Sequence, residues 1–459
     1  MSDLNVNFSP DDYLSEAHLR HMVLDFIQMY DFMQQPLVFD RGEGIYVWDV
    51  RGEKYLDGIS GVWVTNLGHS NQRVKDAIKA QLDQLIFASP IYSTNARAME
   101  FVEMLGRLTP PGLTTIKLLS GGSEATETAI KLVRQYFQNI GKPNKKKIIS
   151  RYFNFHGVTL GALSATGMPD RKTPFEPLAG GFQHIAPPYC LRCPYQLKYP
   201  ECNVLCAHML EQIIQYEGAD TVAAFMAEPI QLSTGNIVPP PEYWPIVREI
   251  CDRYGVMIIL DEIATGVGRT GKMWGAETFN FVPDVLCAGK GLAAGHAPLA
   301  AVAFRDEVAE AFISPDHEKT FADGHTYGGN PLAAVAGIAV LKEMQEHNLV
   351  QRCAEMGQYL VQRLDELKEL GVIGEIRGKG LMIGIEFVRN PVTLEPFPKE
   401  VEFGLRVGRN CMHQKKMIVR MSPKWVAVAP PYIIEPEEID DMVKRLGQAI
   451  VEELDNLKR

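Results

Sequence analysis

The order of apolar segments predicts an α/β protein: a large domain with a mostly parallel sheet between helices, plus a smaller α+β domain. Three observations carry this. Between about residues 66 and 330, short apolar or β-branched runs alternate with stretches of helical period. Three of those runs or their continuations stop at glycine pairs, at two acids, or at a lysine between glycines. After residue 330 the alternation gives way to long helical patterns followed by short, separate strands. A chain of 459 residues is long enough for two cores. The expected division is 1–65 for an N-terminal arm and part of the small domain, 66–330 for the large domain, and 331–459 for the C-terminal small domain.

Taken in order, residues 1–45 mix polar and aromatic positions and read as an arm with a short helix. Residues 45–56 read as a hairpin, with Asp49, Val50, Arg51 and Gly52 near its turn. A helix is expected over 71–85. Strands are expected at 116–119, 147–150, 162–165, 222–227, 256–260, 285–288 and 299–304, with helices at 124–136 and 241–254 between them. Helices at 332–346 and 350–370 follow, then strands at 381–388, 417–420 and 426–428. An amphipathic helix from Pro436 closes the chain.

Composition narrows the function. Apolar residues make up 46% and charged residues 22%, as in ordinary globular proteins. A formal net charge of −10 argues against a general nucleic-acid or anionic-membrane binder, yet leaves room for a local basic pocket. The N-terminus has no basic stretch leading into an apolar run, and no window approaches a membrane span, so a cytoplasmic protein is expected. Of eight cysteines, Cys251, Cys287, Cys353 and Cys411 are scattered, and a disulfide framework is not expected in a reducing compartment.

Three segments carry chemistry. In Leu119-Ser120-Gly121-Gly122-Ser123-Glu124 a strand ends, two glycines admit a close ligand, and a helix begins. Free N–H groups and the helix dipole suit a phosphate there, although a plain turn with a Ser123 cap explains the same residues. In 256–262 a buried strand runs into Asp261 and Glu262. A carboxylate at the carboxyl end of a parallel strand can pair with a protonated ring nitrogen, or simply cap the next helix. In 285–292 a strand leads to Lys290 between Gly289 and Gly291. An amine in a partly dry pocket has a lowered pKa and forms a Schiff base readily, whereas most single lysines are solvated loop residues. Together the three are more specific than any one.

The motifs Gly121-Gly122-Ser123-Glu124-Ala125, Phe155-His156-Gly157, Ala227-Glu228-Pro229, Leu260-Asp261-Glu262, Gly289-Lys290-Gly291 and Thr326-Tyr327-Gly328-Gly329-Asn330-Pro331 resemble those of the class III aminotransferases, pyridoxal-phosphate enzymes of fold type I. The resemblance runs from about Val38 to Ile439 and includes the pyruvate-type omega-transaminases. It implies that Lys290 holds pyridoxal 5'-phosphate and shuttles protons, and that Asp261 pairs with the ring nitrogen. It implies that Gly122 and Ser123 cradle the phosphate, Phe155 stacks on one ring face and Ile263 packs on the other. It puts Glu228 beside Asp261 at the polar edge of the cofactor, and His156 among the cofactor residues. Thr326 would reach the phosphate of a partner subunit, which makes the enzyme a homodimer, with pairing into a tetramer left open. The stacking position is often Tyr in this family. Phe155 keeps the stacking and loses a phenol.

The same resemblance places Trp63 in the pocket wall and Arg420 against a substrate acid group, with Phe87, Tyr92 and Ser233 as further substrate contacts. Each could equally be packing. The substrates implied are an amine or ω-amino acid (β-alanine, taurine or similar) as donor and a keto acid, pyruvate first, as acceptor. Two rivals are an aminomutase or decarboxylase on the same scaffold, and a zinc-stapled binding module. The latter rests on Cys190, Cys193, Cys202 and Cys206, two close pairs with His208 behind them. The resembled family needs no metal, and none is assigned.

Overall fold

A computed structural model describes residues 8–458. The first seven residues, on which part of the N-terminal reading rests, lie outside them. The arm holds the short helices Pro10–Leu14, Glu16–Leu19 and Met29–Gln34. It leads into β1 (Phe39–Glu43), β2 (Tyr46–Asp49) and β3 (Lys54–Asp57), an antiparallel meander whose second turn is the predicted hairpin.

The next strands are β4 (Thr115–Leu119), β5 (Lys147–Arg151), β6 (Phe182–Ile185), β7 (Val222–Ala227), β8 (Met257–Asp261), β9 (Val285–Ala288) and β10 (Ala300–Phe304). They form one sheet in the order β4-β10-β9-β8-β7-β5-β6. β6, β5, β7, β8 and β9 are parallel to one another. β10 is antiparallel to both β9 and β4, so β4 points the same way as the parallel five. Every residue of β7, β8, β9 and β10 is buried. That explains why they read as unbroken apolar runs: helices cover both faces of a sheet of this kind.

The last strands are β11 (Ile373–Gly378), β12 (Ile383–Phe387), β13 (Met417–Ile418), β14 (Arg420–Met421) and β15 (Trp425–Val428). Four of them make a sheet in the order β11-β12-β15-β14, while β13 pairs in parallel with β3. Residues from near the two ends of the chain therefore share one sheet. The helix Pro436–Lys458 follows. No helix among the described residues is long and apolar enough to cross a membrane.

One predicted strand is a helix. Residues 162–165 lie in Leu160–Ala165, where Ala162, Leu163, Ser164 and Ala165 are all buried. A short apolar run has no period by which strand and buried helix can be told apart, and Thr159 stands at its N-cap. β6 and β11, and the helices Ala96–Gly106 and Phe403–His413, were not predicted. β6 is a half-buried edge strand with Gln183 and His184 in its middle, so it offers no apolar run.

Candidate active site

The carboxyl ends of β4, β5, β7, β8 and β9 open on one edge of the large sheet, the edge where ligands bind in such folds. β4 delivers Gly121 and Gly122, which start the helix Gly122–Asn139. Its N-cap is glycine and makes no side-chain cap bond, so the first N–H groups of an 18-residue helix are left for another acceptor. The backbone is open here: a methyl group at Gly121 would meet nothing within 4 Å. A methyl at Gly122 would stand 3.1 Å from the Ile263 side chain. The Ser123 hydroxyl oxygen accepts from the Val158 N–H at 3.1 Å.

β8 delivers Asp261, which is 4% exposed. Its Oδ2 lies 2.8 Å from His156 Nδ1, and its Oδ1 accepts from the Ile263 N–H at 3.1 Å. His156 comes from the segment after β5, and its Nε2 sits 3.3 Å from Asn154 Nδ2. β7 delivers Glu228, whose oxygens accept from the Phe155 N–H at 3.2 Å and the Leu232 N–H at 3.0 Å. Burial, and then the charge of Asp261, push the Glu228 carboxyl up to about 7. Glu262 points away into a nest of donors, the Gly275 and Ala276 N–H groups and the Thr265 hydroxyl. Burial pushes it also up to about 7.

β9 pairs with β8 so that Asp261 faces Cys287, and Lys290 follows three residues later. Lys290 opens a 3₁₀ turn after Gly289, with φ at +43°. Its Nζ lies 5.7 Å from the centre of the Trp63 ring. Burial above all lowers its pKa, against the charges of Asp261 and Glu228, which raise it. The amine is thereby held closer to its neutral, nucleophilic form. Trp63 is 4% exposed, and its indole N–H has no partner among the described residues.

A model of the class III aminotransferases matches residues 29–450. The chain belongs to the class III aminotransferases. An (S)-enantioselective omega-transaminase from Thermomicrobium roseum superposes with a TM-score of 0.92 at 36% identity, covering 96% of this chain and 98% of that one. The omega transaminase from Pseudomonas jessenii in complex with PMP gives a TM-score of 0.92 at 32% identity over 96% and 98%. The putrescine–pyruvate aminotransferase of Pseudomonas aeruginosa is 33% identical over 432 residues, 94% of this chain and 93% of that one.

Class III aminotransferases use pyridoxal phosphate, and this aminotransferase has the residues to fit it. An uncapped helix N-terminus beside two glycines suits a phosphate, a buried carboxylate suits a ring nitrogen, and the half-buried Lys290 amine has no carboxylate in ion-pair contact among the described residues. Phe155 stands one residue before His156, partly buried, with its ring nearly perpendicular to that of Phe26 (centroids 6.2 Å apart). Ser233 lies in the turn Leu232–Thr234, which is tied to the site by the Leu232 bond to Glu228 and by the Thr234 hydroxyl donating to Phe153 O at 3.1 Å. Arg420 begins β14, and its charge is felt by Lys290.

Three predicted residues stand exposed on the surface of this aminotransferase chain. Phe87 and Tyr92 are surface residues, Tyr92 89% exposed, and the Phe87 ring packs against Tyr327 at 6.0 Å. Thr326 is exposed in the loop before the helix Pro331–Glu346. Two contributors had no signal in the sequence: Phe26 of the arm, and Arg171, whose guanidinium sits 3.9 Å over the Phe26 ring. Neither belongs to any of the motifs quoted above.

The clustered cysteines stand apart from this site. Cys190, Cys193, Cys202 and Cys206 line one small cavity with Tyr195 and Tyr199. All four are free thiols, and among the described residues no group of His, Cys, Asp and Glu is placed to hold a metal ion. The segment is instead fastened to the four-stranded sheet that contains β12. Tyr189 and Arg192 bind the buried Glu386 of β12, and Arg192 also donates to Leu394 O at 2.6 Å.

Proposed function

We propose that this aminotransferase moves an amino group from an amine or ω-amino acid to a keto acid, with pyruvate as acceptor, in a ping-pong sequence. The observation that carries the reading is the placement of the Lys290 amine and the Asp261 carboxylate at the ends of adjacent parallel strands, β9 and β8. The naming of one relative as a putrescine–pyruvate aminotransferase supports the choice of acceptor.

Pyridoxal phosphate, when bound, supplies an electron sink that acidifies the C–H bond beside the substrate nitrogen. The N–H groups at Gly122 and Ser123 would hold its phosphate, Asp261 its ring nitrogen, and Phe155 and Ile263 its two faces. His156 fixes the Asp261 carboxylate through its 2.8 Å contact, so the charge opposite the ring nitrogen does not swing away. Glu228 fixes the Phe155 backbone in the same manner. Lys290 Nζ, its pKa lowered by burial, would take the proton from the amine-bearing carbon and pass it on within the same half-reaction, and the second half-reaction would run the transfer in reverse. The Trp63 ring beside that amine closes one wall of the pocket.

A second copy of the chain would complete the site. Leu82, Ile86, Phe87, Ile91, Tyr92 and Tyr327 expose a group of large apolar side chains on the segments carrying the three stray residues. Burying this surface in a homodimer would bring Thr326 to the partner's phosphate site and the two aromatics to a shared pocket. Free cysteines throughout the described chain support a reducing, cytoplasmic setting.

Amines and ω-amino acids tested against pyruvate and against 2-oxoglutarate should yield alanine in the pyruvate arm, with no turnover when the keto acid is withheld. Consumption of donor without any keto acid would favour a decarboxylase or aminomutase instead.

A further inference from the structure

More positive charge acts near Lys290 than the reading above uses. The Arg420 guanidinium has no hydrogen-bond or ion-pair partner among the described residues, although its residue begins a strand only eight residues before the buried Val428. Arg171, on the turn Pro169–Lys172, has as its only carboxylate among the described residues the adjacent, 71% exposed Asp170 at 3.8 Å. Arg171 lies within range of the Arg420 charge: burial first, and then Arg171, lower the Arg420 pKa. Arg171 is also held toward the site. Its guanidinium lies over the Phe26 ring at 3.9 Å, and Phe26 meets Phe155 nearly at right angles.

Two guanidinium groups that feel each other's charge and have few carboxylate partners repel each other, and the arrangement is relieved when an anion enters. The location selects the anion. It must belong to a molecule that reaches Lys290 while its acid group stays at the mouth, remote from the reacting amine.

We propose that Arg171, steadied by Phe26 of the N-terminal arm, is a second anion-binding residue of the substrate pocket. With Arg420 it clamps the distal carboxylate or sulfonate of ω-amino acid donors. This rests on the aminotransferase reading above and narrows its donor class to molecules with an amine at one end and an acid at the other.

The test compares 6-aminohexanoate with hexylamine, which share a chain length and differ in the acid. In the enzyme loaded with cofactor, Arg171→Met should raise the ratio of their KM values by about tenfold with little change in kcat for the acid, and Arg171→Lys should recover part of it. Phe26→Ala should move the ratio in the same direction by a smaller factor. Glutarate binding, read by calorimetry without turnover, should weaken about tenfold in Arg171→Met. 6-Aminohexanesulfonate in place of the carboxylate tells the two acid types apart, and a parallel shift places both in the clamp. An unchanged KM ratio and unchanged glutarate affinity in Arg171→Met overturn the role of Arg171, while alanine formation from hexylamine still upholds the aminotransferase reading. If the wild type turns over neither donor, that reading fails and the clamp with it.

Discussion

Two buried carboxylates beside one lysine set the chemistry at the residue scale. Asp261 has its geometry fixed by His156 and by a backbone N–H, so it needs no rearrangement to face a positive ring nitrogen. Asp261→Asn should lower kcat by about 10²–10³-fold with the fold intact, the range found when a preorganised electrostatic partner is removed. Steady-state rates alongside circular dichroism check this. Glu228 gives a pH signature. Its carboxyl is pushed up to about 7, so it is neutral below that pH and above it adds a second negative charge next to Asp261. The log of kcat/KM should therefore bend near pH 7, and Glu228→Gln should remove that bend while leaving others in place. A bend that survives the substitution assigns the ionisation to another group.

Elements fix these residues in place, and they explain what could be read from the chain alone. β7, β8 and β9 are buried on both faces, and their apolar runs end sharply where polar groups must begin. Asp261 and Lys290 therefore stand out in the sequence, and the step from strand to glycines marks the start of the helix Gly122–Asn139. Phe26 and Arg171 have no such marker: their meeting depends on where an irregular arm crosses the sheet edge. Thr326, Phe87 and Tyr92 could be suggested by motif, and all three stand exposed on the chain surface. Residues 162–165 were misread because burial on all sides erases periodicity. The loop after β5 offers a prediction at this scale. Gly157 has φ +136°, and a methyl there would stand 2.6 Å from Ser123 Oγ. Gly157→Ala should cost about 1–3 kcal/mol in backbone strain and push Ser123 off the phosphate position. Thermal unfolding should shift down, and cofactor should dissociate faster in dilution assays. An Ala variant with wild-type cofactor retention would show that Ser123 does not bear on the phosphate.

For the whole molecule, acid and oligomer effects can be worked out in sign. Glu228 and Glu262 bind protons more tightly folded than unfolded, since both are raised from 4.5 to about 7. Their contribution is fully present below the unfolded value near 4.5 and is lost as pH rises through about 7. The melting temperature should thus carry a falling component between pH 5 and 7.5, and Glu262→Gln should flatten it. A steeper slope in that variant contradicts the assignment. Light scattering should give twice the 51.2 kDa chain mass, and Ile86→Asp with Ile91→Asp should shift it toward monomer with loss of activity.

The arrangement as a whole depends on which lysine meets the cofactor. The direct measurement is borohydride reduction of the loaded enzyme, which makes any imine between lysine and cofactor permanent, followed by peptide mass mapping. The cofactor mass should be found on the peptide containing Lys290 and should vanish from it in Lys290→Ala. Finding it on another lysine of the wild-type protein, or finding no covalent adduct in an active enzyme, would contradict the account.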